Sequence, residues 1–442
     1  MKFNNFLMAG LCLFIFSCKK GEEARPVPTE EELSTFVSMD QAEAEVLKLL
    51  SIVDADTRGT GECRRIVEKY SLGGEATRTE TDEDPLVYVF NFNDGQGYAI
   101  ASGDKRMPPV LCITEDGNLK DTTSFNEGFI AMLSIIDTDY RRAVGLPARD
   151  ADGNTVVTRR AVPEMINDND GGGVSTYTTY TSWTSDTPVG NRVFCNWKQR
   201  APFNKYCKTK DGKDAYVGCV AVAVGQVMYY WKKNATYNGH VYDWNIMKKI
   251  STPKASESYT DAWEGVQLLL HDLGRPENLD MDYGEVDNSD GSSASCDNIK
   301  RTFLHFGYSN GGTEQDYDVN TLKTCLLDGP VLGCGYAHKE VKKFLGITVS
   351  TSYDDGHEWV YDQYMEQYRY QNTYDIATGK LLKSIKETRT LVRCNWGWGG
   401  SHNGFYLSGS YDTKDDHGLI TKSSENDKYF QYLLKMHTGI KP

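Results

Sequence analysis

The apolar positions of this chain fall into blocks whose period changes along its length. In "SMDQAEAEVLKLLSIV" (38–53), Leu47, Leu49, Leu50 and Val53 recur at helical spacing with Met39 as a lead-in, which predicts a helix. "PLVYVFNF" and "GYAIASGD" alternate like two strands across an Asn-Asp-Gly turn at 93–95. "FNEGFIAMLSIIDTDYRRAV" (125–144) predicts a second amphipathic helix, and 37–145 together read as a small α+β domain. The period then disappears. Residues 146–175 are dense in Gly, Asp, Asn and Arg, contain the pair Arg159-Arg160, and read as an exposed linker.

From 176 to 442 a larger domain is expected. Helices are predicted around 219–233, 260–273 and 293–306. Strand-like runs follow at 329–337, 357–366, 367–375, 388–398 and 404–409. Helix-rich first and sheet-rich last is the order of an α+β fold with a helical lobe against a sheet.

The first residues form a separate block. Lys2 precedes an apolar run from Phe6 to Phe16, then Ser17-Cys18. That is the layout of a signal peptide over 1–17, too short to remain as a spanning helix. "IFSC" is similar to a lipobox, which makes Cys18 the expected lipidation site. A plain secretory signal with a chance cysteine is the alternative. Residues 18–36 are polar and read as a flexible tether from a membrane surface. The chain is therefore expected to be exported and held by a lipid anchor at the outer membrane, cell surface or periplasm. A net charge of −14 argues against nucleic acid as a partner.

Setting aside Cys12 and Cys18 leaves nine of the eleven cysteines, an odd number, so at least one thiol stays unpaired. Cys195 and Cys207 are close enough in sequence for a small loop bridge. No CxxC pair exists, which argues against a structural zinc site, and neither metal nor organic cofactor is expected.

One cysteine stands apart. In "YVGCVAVAVGQVMYYW" (216–231), Cys219 follows Gly218 and opens the helical run. A helix N-terminus offers free N–H groups and a dipole that favour a thiolate, and Gly218 permits close backbone approach. A buried, inert thiol is the competing reading. His357 changes the balance, because "DDGHEWVYD" sets it between a glycine and a strand, 138 residues after Cys219. "CNWGWGG" (394–400) then supplies Asn395, placed to accept a hydrogen bond from the far ring nitrogen of His357, with Trp396 and Trp398 to shield that bond.

"GCVAVAVGQVMYYW", "GHEWVYD" and "NWGWGG", in that order and spacing, resemble the streptopain family of papain-like cysteine endopeptidases. "DLGRPENLDMDYG" (272–284), "RTFLHFGY" (301–308) and "VYVFNFNDGQGYAIASGDKRMPPVL" (87–111) extend the resemblance over roughly residues 37–442. It implies a papain-like catalytic domain over 176–442, with a helical lobe and an antiparallel sheet lobe. A small α+β prodomain precedes it and acts as intramolecular inhibitor, and the linker is the expected processing site. It implies Cys219 as nucleophile, His357 as general base and acid, and Asn395 as orienting residue. Trp396 and Trp398 stand in the family's Trp-Gly-Trp motif. Gln199 takes the place of the family's Gln ahead of the nucleophile, sharing an oxyanion hole with the Cys219 N–H. Gly356 and the Ser292–Ser295 loop, with Ser293 and Ser295, match substrate-cleft positions. The chain departs from the pattern in bulky Glu358 and Trp359 after the His, and in a polar hairpin over 362–390.

The expected partners are protein or peptide substrates, the chain's own prodomain and a separate activating protease, unless processing is autocatalytic. Two alternatives remain open from the residues. One is another Cys-His acyl transferase, transglutaminase- or amidase-like, although those usually use Asp where Asn395 stands. The other is a catalytically silent surface lipoprotein that keeps the fold for binding.

Overall fold

The computed structural model describes residues 35–58, 64–72, 87–119, 176–286, 291–335, 340–344, 347–352, 357–408 and 435–442. Cys18 and the signal peptide, the helix expected over 125–144, the 146–175 linker and Gly356 lie outside the described residues.

Helix α1 (Met39–Arg58) buries Ala42, Val46, Leu49, Leu50 and Val53, one stripe at helical spacing, while Leu47 lies outside it and is exposed. Its start is held reciprocally: the Gln41 N–H donates to Ser38 Oγ and the Ser38 N–H to Gln41 Oε1. Strands β1 (Ile66–Leu72), β2 (Val87–Phe92), β3 (Tyr98–Ser102) and β4 (Val110–Thr114) form an antiparallel meander. β2 and β3 are buried on both faces. Val87, Val89, Tyr98 and Ile100 enter one cluster, and Tyr88, Phe90, Ala99 and Ala101 enter another under α1.

The helical part follows. α2 (Cys219–Trp231) is buried from Cys219 to Tyr229, and α4 (Thr260–Leu273) crosses it. Gly225 lets them approach: a Cβ there would stand 2.8 Å from Trp197 and 3.1 Å from Leu270. The short strands β8 (Ala235–Tyr237) and β9 (His240–Tyr242) and helices α3 (Trp244–Met247), α5 (Ile299–His305) and α6 (Val319–Leu326) complete this part. Cys195 and Cys207, close enough in sequence for a loop bridge, are both free thiols.

The sheet part contains β10 (Asn310–Asp316), β11 (Val331–Gly335), β14 (His357–Asp375), β15 (Leu381–Asn395), β16 (Gly404–Ser408) and β17 (Lys435–Lys441). Two runs read as separate strands, 357–366 and 367–375, are one strand. β12 (Glu340–Phe344) pairs with β13 (Ile347–Ser352) apart from this sheet. The tip of the β14–β15 hairpin and β5 (Thr176–Tyr180) form a small compact unit of their own, with the Tyr177 and Tyr374 rings stacked at 5.3 Å.

The N-terminal meander is not a self-contained sheet. β4 pairs with β16, giving one continuous order β1-β2-β3-β4-β16-β15-β14-β11-β17-β10, while β6 (Thr184–Ser185) and β7 (Val189–Gly190) add to β14. Gly404 permits the join, since a Cβ there would meet the Ile113 carbonyl oxygen at 2.3 Å. Both clusters under the meander also contain β14–β16 residues, among them Met365, Leu391, Phe405, Val392 and Tyr406.

Candidate active site

Cys219 is the first residue of α2. Gly218 caps it with φ +88°, and a Cβ there would stand 2.7 Å from Met281 Sδ. That conformation is open to glycine and strained for other residues. The Val217 N–H donates to the Gln199 carbonyl, which ties the approach to Cys219 to the segment carrying Gln199. The Val222 N–H donates to the Gly218 carbonyl at 3.1 Å, which makes Gly218 the first acceptor of α2.

His357 opens β14 and is 5 % exposed. Its ring stacks on Trp359 at 6.1 Å and meets Trp396 at 6.4 Å. Nε2 lies 3.0 Å from the Trp396 carbonyl oxygen. A carbonyl only accepts, so Nε2 carries the proton and Nδ1 of the neutral ring is the basic nitrogen. Burial lowers the ring pKa to about 4 despite that bond, so the ring is neutral near pH 7.

The bond expected between Asn395 and His357 gives way to this one. Asn395 Nδ2 donates to the Cys195 carbonyl at 2.7 Å, and its Oδ1 accepts from Gln226 Nε2 at 3.1 Å. Side chains alternate across a strand. Cys394 and Trp396 point to the cluster that holds Trp359, so Asn395 between them points to α2. Trp396 is fully buried, its indole N–H donating to the His402 carbonyl at 3.0 Å. Trp398 is 38 % exposed, and Trp359 rather than Trp398 is the second ring against His357. Gly397 brings the Trp-Gly-Trp turn onto α2, where a Cβ would touch Val222 at 3.0 Å. Lys198, next to Gln199, forms a β-bridge with Trp398.

Ser292 is the serine that reaches Gly218. Its carbonyl lies 3.3 Å from a Cβ built there, and its hydroxyl donates to the Tyr216 carbonyl at 2.7 Å. Ser293 is exposed and bridges to Asp282, and Ser295 caps the turn Cys296–Asn298. Sequence reasoning missed the Trp396 carbonyl because a backbone group has no residue-type signature. The alternation of "CNW" was the available signal, since it sets Asn395 and Trp396 on opposite faces.

Burial pushes other thiols up. Cys112, Cys195 and Cys394 lie well above the ordinary thiol range, and Cys207 reaches about 11.

Residues 197–406 match the model of the peptidase C10 family, and residues 34–140 match that of the Spi protease inhibitor. The peptidase part of the chain, residues 197–406, is thus of the C10 type. The chain is a cysteine-type endopeptidase in zymogen form, with an inhibitor-type region ahead of the peptidase. Among curated C10-type relatives, streptopain of Streptococcus pyogenes is 24% identical over 375 residues, spanning 77% of this chain and 76% of its own. The serotype M1 streptopain is 25% identical over 378 residues with the same coverage. Among solved structures, a prointerpain A fragment of Prevotella intermedia covers 85% of this chain and 99% of its own at 20% identity, TM-score 0.44. Active interpain A of that organism covers 58% and 96% at 21% identity, TM-score 0.35. In this C10 peptidase the α+β organisation expected from the sequence is present, with the helical part first, the antiparallel sheet last and the inhibitor-type region before both.

Proposed function

We propose that Cys219 is the nucleophile of peptide-bond hydrolysis and His357 its general base and acid. The observation that carries this reading is the Trp396 carbonyl on Nε2 of His357, which fixes the tautomer and leaves Nδ1 to take the thiol proton. The Cys219 thiolate adds to the scissile carbonyl, and the oxyanion is held by the Cys219 N–H and Gln199. His357 returns the proton to the leaving amine, and water hydrolyses the acyl-enzyme. Gly218 and Ser292 line the approach to the thiol. Ser293, Ser295 and Gly356 contact substrate, and exposed Trp398 does so beside Lys198. Trp396 positions His357 through its backbone, and Asn395 positions Trp396 by anchoring the turn to Cys195 and α2.

In the same reading, residues 37–145 are the inhibitory prodomain, 146–175 the processing linker and 176–442 the peptidase domain. The chain is exported, Cys18 is diacylated, and 18–36 tether the zymogen to a membrane. The prodomain then lies between anchor and peptidase, so a cut near Arg159-Arg160, by the enzyme itself or by an Arg-specific protease, frees the peptidase from the membrane unless the two domains stay bound.

Labelling with iodoacetamide tests the dyad. One cysteine, Cys219, reacts fast, and His357→Ala abolishes that rate, while thiols raised by burial react slowly. Uniform slow labelling would favour the catalytically silent reading. Cys219→Ala leaves the zymogen uncut if processing is autocatalytic, and normal processing of that variant points to a separate protease.

A further inference from the structure

Three potential metal ligands converge beside His357 without taking part in the proposed reaction. Cys296 opens the turn Cys296–Asn298 after the serine loop, Cys334 lies in β11, and Glu358 lies in β14 directly opposite Cys334 in the ladder. Their ligand atoms all stand within 4.8 Å of one another, and Cys296 Sγ is 3.2 Å from Glu358 Oε2. We propose that Cys296, Cys334 and Glu358 form a binding site for a thiophilic divalent cation of the zinc class.

The spacing suits such an ion. Zinc binds thiolate sulfur at about 2.3 Å and carboxylate oxygen at about 2.0–2.2 Å in a tetrahedron, so its bound donors stand roughly 3.5–4 Å apart. The three groups are already near that separation, on three different elements, before any ion is added. Charge and burial point the same way. All three residues are at most 7 % exposed. The Glu358 carboxyl bonds to thiols, and its charged neighbour is Glu314, whose own partner is Lys435. A cation held among the three groups would neutralise a carboxylate buried there.

Binding displaces one proton from each thiol and one from the carboxylic acid. The product has two Zn–S bonds, one Zn–O bond and three released protons, with no change of oxidation state. Water completes the fourth position. The absence of a CxxC pair hides this site from the sequence, since Cys296, Cys334 and Glu358 are far apart along the chain.

The site bears on the peptidase through β14. Glu358 follows His357, and Gly335, next to Cys334, pairs with His357 in the ladder. A bound ion would join the serine-loop side to the two strand ends that carry His357. This link to activity rests on His357 being the base; the metal site itself does not.

Cobalt titration of the full-length Cys219→Ala chain, reduced and anaerobic, tests the site without the proposed catalytic thiol as a ligand. The expected result is one equivalent retained through gel filtration, a thiolate-to-cobalt charge-transfer band in the near ultraviolet, and intense visible bands of a tetrahedral ion. Zinc should displace the cobalt and raise the Tm of the same chain. Cys296→Ser and Cys334→Ser should each remove the charge-transfer band or halve it. Glu358→Gln should weaken binding at least about tenfold. Cys207→Ser, a buried cysteine elsewhere, should bind as the parent does. Failure of the Cys219→Ala chain to retain cobalt, or an unchanged band in the Cys296→Ser/Cys334→Ser double variant, overturns the proposal. The band and the Tm shift of the Cys219→Ala chain decide the matter even where a ligand variant fails to fold. Loss of metal binding leaves the labelling test of Cys219 and His357 untouched, so the two readings fail separately.

Discussion

Arg393 and Glu115 join the inhibitor-type region to the peptidase through a bidentate ion pair, Nε to Oε1 at 2.9 Å and Nη2 to Oε2 at 3.0 Å. Arg393 is fully buried and also meets Asp362, while Arg192 meets Glu115. Burial alone would raise the Glu115 carboxyl, but the Arg393 guanidinium, aided by Arg192, outweighs it and holds the pKa down to about 2. The pair sits just past the β4–β16 junction, so the strand pairing and the charges fix one register between the two regions.

Glu115→Gln keeps the shape and removes the charge facing Arg393. In the full-length Cys219→Ala chain it should lower the unfolding free energy by about 3 kcal/mol, the scale for breaking one side of a buried pair. Urea unfolding measures this, and a loss below about 1 kcal/mol would show that Asp362 alone satisfies Arg393.

The same pair sets an acid limit. The Glu115 pKa falls from an ordinary 4.5 to about 2 on folding, so its contribution is complete above about pH 5 and is lost as pH falls from 4.5 towards 2. The full swing is about 3 kcal/mol. Between those pH values the Cys219→Ala chain should lose stability more steeply than its Glu115→Gln derivative, and the two urea midpoints should converge near pH 2. Parallel curves would refute the linkage.

Asn395 holds the Trp-Gly-Trp turn to α2 and does not touch the His357 ring. Asn395→Ala is therefore expected to cost about 1 kcal/mol of stability, from the two hydrogen bonds it loses, while the Gln226 amide still donates to the Cys195 carbonyl. Activity of the processed enzyme should fall far less than in His357→Ala, with the pH profile of kcat/KM unmoved. A shifted profile would return Asn395 to direct contact with the ring.

Gly218→Ala meets both a positive φ and Met281. It should cost about 2 kcal/mol in urea unfolding and slow iodoacetamide labelling of Cys219 by displacing the start of α2. Wild-type labelling together with wild-type stability would show that the loop before Cys219 yields freely.

Much of the local structure was legible because it is written in short-range patterns. The stripe of α1, the β2–β3 hairpin and the α2 start at Cys219 each follow from neighbours within a few residues, and the spacing of Cys219, His357 and "NWGWGG" carried the family. Asn395 was misread because its role depends on which face of β15 it occupies against α2 and Trp359. Which serine of the 292–295 loop stands beside Gly218 was not legible for a similar reason, since a loop's hydroxyls are sorted by what folds over them.

The sequence by itself determined the elements, the helix-then-sheet order and the residues able to do thiol chemistry, because periodicity and residue type act locally. Only the tertiary structure decided that the inhibitor-type meander continues the peptidase sheet through β4 and β16, that a backbone carbonyl rather than Asn395 holds His357, and that Cys296, Cys334 and Glu358 meet. Each of these depends on segments far apart in the chain, and strand pairing and burial, not sequence spacing, bring them together.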